Sequence, residues 1–168
     1  MKLYFFGHDY RYAAEQILLT LFPNERPEYP GGSPEGDRME IRLSRGAQYI
    51  TATCALHRGG SVWHGRAAVK AALLDGELLT DRYCQRLIKN AVYRAALASG
   101  VQRPAWGALT GVRPGKLFCP LLNSGLSESE AVHEFIEKYD VTPERAQLCL
   151  DTSRETLSAA AGLGAEDV

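Results

Sequence analysis

A chain of 168 residues with 45% hydrophobic and 23% charged side chains is long enough to bury a core without disulfides or metals. Nineteen lysines and arginines against twenty aspartates and glutamates leave a formal charge of -1, so no global field points to nucleic acid or an anionic membrane as partner. The apolar opening at residues 1–7 is too short for a secretory core and is broken by His8, Asp9 and Arg11, and no stretch approaches the roughly 20 apolar residues that span a bilayer; a cytoplasmic location is expected.

In chain order, residues 3–6 read as a strand, and residues 10–22 place Ala13, Ala14, Ile17, Leu18 and Leu21 at helical spacing before Pro23 ends the run. Residues 27–37 hold neither period and carry several breakers, so an exposed loop is expected there. Strict alternation follows, with Met39, Ile41 and Leu43 on one face and Arg38, Glu40, Arg42 and Ser44 on the other. Arg45-Gly46 turns this strand, residues 49–57 form the next, Arg58-Gly59-Gly60 supplies a second hairpin turn, and residues 61–68 return. The first half is therefore β-α-β-β-β with a small, mainly antiparallel sheet in which pattern alone leaves the place of the first strand open.

The second half reads as helical, which makes the chain α+β. Residues 81–99 repeat apolar side chains at Tyr83, Leu87, Ile88, Ala91, Ala95 and Ala98 before Gly100, and the other face carries Arg82, Arg86, Lys89 and Arg94. With the total charge neutral and no exposed aromatics interleaved, that basic run reads as a solvated face, which argues against nucleic acid. Ser127-Glu128-Ser129-Glu130 has the form of a capping box opening a helix through Val132, Phe135, Ile136 and Tyr139. Thr142-Pro143 starts the last helix, with Ala146, Cys149, Leu150, Ser153 and Leu157 on one face. The change of pattern divides the chain into an α+β sheet part over 1–79, a helical part over 80–157 and a linker or frayed tail over 158–168.

The most informative segment is Trp106-Gly107-Ala108-Leu109-Thr110-Gly111-Val112-Arg113-Pro114-Gly115-Lys116-Leu117. Pro114 suits the first turn of a helix, and with Thr110 as cap and Arg113 and Lys116 nearby, free N–H groups and two cations could receive a carboxylate or phosphate. A structural reading stands beside it: Trp106 as a core anchor, Gly107 and Gly111 relieving backbone strain, and Arg113 paired with an acidic neighbour. The glycine spacing is not that of a P-loop. His8 and Asp9 read as solvated polar groups at a strand end. His57 and His64 flank a turn and could face each other across a hairpin, but two histidines do not close a zinc site. Cys54, Cys84, Cys119 and Cys149 stand thirty or more positions apart with no close pair or triplet, so they read as free structural thiols, and no metal, cluster or catalytic residue is assigned to this chain.

The Trp-Gly-Ala-Leu-Thr-Gly-Val-Arg-Pro-Gly-Lys-Leu stretch, followed by Leu121-Leu122-Asn123-Ser124-Gly125-Leu126-Ser127 and Lys138-Tyr139-Asp140-Val141, resembles the N-terminal region of the HemZ-type coproporphyrinogen dehydrogenases. The resemblance is loose over most of the chain and close over about residues 88–157. It implies an oxygen-independent, radical-SAM oxidative decarboxylation of propionate side chains in haem biosynthesis. A [4Fe–4S] cluster and S-adenosylmethionine would belong to a downstream barrel, whose cluster cysteines would lie beyond Val168. On this reading the chain is the accessory region of a longer oxidoreductase, is inert alone, and has its own radical-SAM domain and a tetrapyrrole substrate as partners. Alternatives are a haem-handling radical-SAM relative without oxidase activity, a stand-alone anion- or nucleic-acid-binding module, and a structural or dimerising unit.

Overall fold

Alternating burial along three consecutive strands sets the sheet. The computed structural model describes residues 1–163, with side chains through residue 159. β1 (Lys2–Phe6) leads into α1 (Arg11–Leu21), followed by β2 (Arg38–Arg45), β3 (Tyr49–Arg58) and β4 (Ser61–Lys70). A single 3-10 turn, Ala71–Leu73, then precedes α2 (Glu77–Ala98). The sheet order is β1-β2-β3-β4; β1 pairs parallel to β2, and the other neighbours are antiparallel. The α+β class and the β-α-β-β-β order read from the sequence both hold. The parallel edge strand follows from the α1 crossover, since two parallel strands cannot be joined by a hairpin.

Pairing stacks the inward residues in rows across the strands: Leu3 beside Met39, Leu56 and Trp63, then Phe5 beside Ile41, Cys54 and Gly65. Met39, Ile41 and Leu56 are fully buried, each worth about 1.5–3 kcal/mol relative to exposure. α2 lies against β3 and β4, and α1 packs along α2. The contact between α2 and β4 needs Gly65, because a Cβ there would stand 2.0 Å from the Ala91 carbonyl oxygen and 2.5 Å from the Ala95 nitrogen. Small residues on the helix, Ala91, Ala95 and Ala96, meet that requirement from their side.

The chain splits into two compact units, the first ending at Arg103 and the second beginning at Pro104. The change of pattern near residue 80 therefore does not mark the division. α2 is read as part of the helical half from its 3.6-residue period, yet its buried stripe covers the sheet, and it starts at Glu77, ahead of the pattern, with Leu78 and Leu79 exposed.

The second unit holds α3 (Pro114–Leu122), α4 (Glu128–Tyr139) and α5 (Pro143–Leu163). Their shared core is Phe118, Leu121, Ala131, Phe135, Tyr139, Val141, Ala146, Cys149 and Leu150. Phe118, Phe135 and Tyr139 meet edge to face at 5.0 Å between successive centroids. Ser127 caps α4 as its sequence announces, with its hydroxyl receiving the Glu130 N–H and the Glu130 carboxylate receiving the Ser127 N–H. Helix α5 continues through Leu163, so residues 158–163 are helical rather than a linker: their alanines favour the helix. The rest of the expected tail, residues 164–168, lies outside the described residues.

Candidate functional site

The Trp106–Leu117 signature divides into a buried beginning and an exposed end. Residues 105–108 form a turn laid against the link between α4 and α5: the Ala108 N–H donates to the Tyr139 carbonyl (3.0 Å), and the Thr142 N–H donates to the Ala105 carbonyl (3.0 Å). Gly107 sits inside this clasp at φ 56°, and a Cβ would fall 2.2 Å from the Asp140 oxygen and 2.3 Å from the Tyr139 oxygen. Both its conformation and the approach of two backbones thus require glycine. Trp106 is half-buried against the core of the unit, and the Arg145 guanidinium lies 5.2 Å from its ring centroid. Trp106 and Gly107 thus both serve the packing of this unit.

The remainder of the segment turns outward. Gly111 is exposed at φ 69°, and Pro114 occupies the first turn of α3. The α3 N-cap is Arg113, in extended conformation and without a side-chain capping bond, so Thr110 does not cap this helix. Thr110 is half-buried, while Arg113 and Lys116 are exposed and neither pairs with a carboxylate among the described residues. The structure thus brings Arg113 and Lys116 to one helix start, but adds no convergent third side chain.

A denser array lies on the first unit, on the sheet face turned away from α2. Phe6, Arg42, Thr53 and Arg66 stand in one row across all four strands, and Tyr4, Glu40, Ala55 and His64 stand in the next. Between these rows opens a pit of about 90 Å³, lined by Phe6, Glu40, Arg42, Thr53, Ala55 and His64. The Arg42 guanidinium lies 4.5 Å above the Phe6 ring centroid. Glu40 is held by Arg38 (2.7 Å) and His57 (3.3 Å). His57 and His64 share this face but are offset, because His57 pairs with Val62 and His64 with Ala55. Sequence reasoning finds the alternation of Arg38, Glu40 and Arg42; the row of Arg42, Thr53 and Arg66 needs the strand register, which no single strand carries.

Two wider cavities are present in the same unit. One of about 680 Å³ is lined by Tyr10, Arg45, Glu77, Leu78, Thr80 and Asp81. Burial, then a hydrogen bond to Asp81, pushes the Tyr10 hydroxyl up to about 12, so it remains a donor. The other, of about 580 Å³, runs along β1 beneath the 29–34 loop. At its end His8 is fully engaged: its Nδ1 accepts from the Tyr10 N–H (3.1 Å), and its Nε2–H donates to the Ile41 carbonyl (3.2 Å). Burial lowers the His8 pKa below 6.5. His8 is thus a structural clasp rather than the solvated group its position suggests, while Asp9 is exposed and pairs with Arg11 at 2.8 Å. The basic face of α2 is partly committed as well, with Lys89 bonded to Gln16 (2.6 Å) and Arg94 to the Arg66 carbonyl.

The chemistry of the thiols does not fit an iron–sulfur cluster. Cys54, Cys84 and Cys149 are buried in separate places, Cys119 is half-buried, and all four are free. Burial pushes the Cys54 thiol up to about 12 and raises that of Cys149, the reverse of the thiolate a cluster requires. No group of three His, Cys, Asp or Glu side chains among the described residues is arranged to hold a metal. No helix among them is long and apolar enough to cross a membrane. Comparison with protein-family models, with curated proteins and with solved structures finds no match.

Proposed function

We propose that this chain is the accessory, non-catalytic region of a cytoplasmic radical-SAM oxidoreductase resembling oxygen-independent coproporphyrinogen oxidase, acting beside a catalytic barrel that this chain does not contain. The carrying observation is the split of the signature segment. Trp106 and Gly107 are consumed in building the helical unit, whereas Gly111, Arg113 and Lys116 are held at the surface by Pro114 and α3, the two cations with no carboxylate partner among the described residues. Two exposed cations on a rigid helix start suit a carboxylate-rich tetrapyrrole or an acidic surface of the barrel. The [4Fe–4S] cluster and S-adenosylmethionine belong on this reading to that barrel, and no chemical step is assigned to the residues of this chain.

The test is anaerobic reconstitution of the protein that carries this region together with whatever follows Val168. An absorbing cluster that bleaches on reduction, with a several-fold rise in KM for the tetrapyrrole in Arg113→Glu/Lys116→Glu at unchanged thermal stability, is expected. A protein that binds no cluster overturns the reading. A second reading, an anion-binding module that works without a catalytic domain, draws on the cations gathered on the open sheet face.

A further inference from the structure

The neutral total charge hides a polarised sheet. By strand register the face away from α2 carries Lys2, Arg38, Arg42, Arg66 and Lys70 against a single carboxylate, Glu40. Arg38 already neutralises Glu40 at 2.7 Å. Among the described residues, neither Arg42 nor Arg66 is paired with an acid, and both are exposed. Two unpaired guanidinium groups on one open surface repel each other, an arrangement that an anion between them would relieve.

The geometry around Thr53 says what kind of anion. Arg42 on β2 and Arg66 on β4 are the direct register partners of Thr53 on β3, one strand to each side, so their Cα atoms flank it at about 5 Å. His64 stands two residues from Arg66 along β4 and lines the same pit as Thr53 and Arg42. The Arg42 guanidinium carbon lies 4.5 Å above the Phe6 ring centroid, and its N–H groups have no acid partner among the described residues. Donors from three strands thus border the pit: the Arg42 guanidinium, the Thr53 hydroxyl and the His64 imidazole line it, and Arg66 holds the adjoining position in the row on β4. A planar carboxylate is satisfied by one guanidinium edge, whereas a tetrahedral dianion can use donors from several directions at once.

We propose that the pit over Thr53, lined by Arg42 and His64 beside the Arg38-paired Glu40 and with Arg66 next in the same row on β4, is a binding site for the phosphate group of a small phosphorylated ligand. This proposal is independent of the radical-SAM reading, since it concerns the sheet unit and needs no cofactor. A phosphate group fits within the 90 Å³ pit, which opens on the sheet face.

The experiment is a titration of the full chain with inorganic phosphate at constant ionic strength, read from the side-chain resonances of His64 and the amide of Thr53. A saturable shift at both, with an affinity weakened roughly tenfold in each of Arg42→Gln and Arg66→Gln, is expected. Both arginines are exposed, so their removal leaves the unfolding temperature unchanged; Thr53→Val, which keeps the shape of the side chain, gives a second variant that weakens binding without unfolding the sheet. Shifts that chloride reproduces at equal ionic strength, or variants that bind as the parent does, overturn the proposal. Citrate binding tighter than phosphate at the same residues also overturns it, in favour of a carboxylate site. A single-stranded oligonucleotide that binds with steep salt dependence where phosphate does not would overturn it in favour of a polyanion surface.

Discussion

Both units close a backbone against a backbone through one glycine, yet the two joints differ in kind. At Gly65 the strand is extended and any residue could adopt its conformation; only space excludes a side chain, because α2 lies on β4. At Gly107 space and conformation act together, since φ is 56° and two carbonyl oxygens crowd the missing Cβ. The first joint is distributed over a long helix and two strands, whereas the second rests on one turn and two hydrogen bonds. A joint spread along a helix can yield by a small slide. A joint built on one turn has nowhere to move.

Gly107→Ala is therefore expected to cost the most, more than about 4 kcal/mol, through combined clash and strain, and to expose the amides of α3, α4 and α5 to exchange. Gly65→Ala is expected to cost somewhat less, about 3 kcal/mol, with the loss of protection falling on α2 and β4. Denaturant titration with hydrogen exchange on both variants checks the ranking, and equal losses at the same amides would break the distinction drawn here.

Smaller effects sharpen it. Ser127→Ala removes one half of the α4 capping box and is expected to destabilise the helical unit by about 1 kcal/mol in a urea titration. Ser153 is a buried hydroxyl without a hydrogen-bond partner among the described residues, so Ser153→Ala is expected to raise stability by up to about 1 kcal/mol, the opposite sign to most core truncations.

The smallest change is one of pH. The His8 pKa is lowered in the folded state by burial, against the raising effects of the Ile41 carbonyl and Asp9 and with a further lowering by Arg45. The neutral form that holds the Tyr10 N–H is thus favoured by folding. Its contribution is fully present above the unfolded value of 6.5 and is lost as pH falls through the lower folded value. The stability gap between the parent and His8→Gln should accordingly be wider at pH 7.5 than at pH 5.

Much of this was legible before any coordinates. The alternation of Met39, Ile41 and Leu43, the Ser127–Glu130 box and the Thr142-Pro143 start carry their structure locally, because each depends on neighbours within four positions. What depends on partners far along the chain was not. The apolar stripe of α2 shows that something covers it, but not that the cover is a sheet with a glycine in the right place. Thr110 lies near a helix start by sequence and yet does not cap α3, because Pro114 places the N-cap at Arg113. The row of Arg42, Thr53 and Arg66 spans three strands, and only register assembles it.

That row has a consequence for how the molecule travels. With the chain's net charge near zero and Arg42 and Arg66 without acid partners on one sheet face among the described residues, the first unit carries a charge asymmetry that its composition does not show. An anionic surface would meet that sheet face more favourably than a formal charge of -1 implies, so removing Arg42 and Arg66 together is expected to shorten retention on a cation-exchange resin at neutral pH.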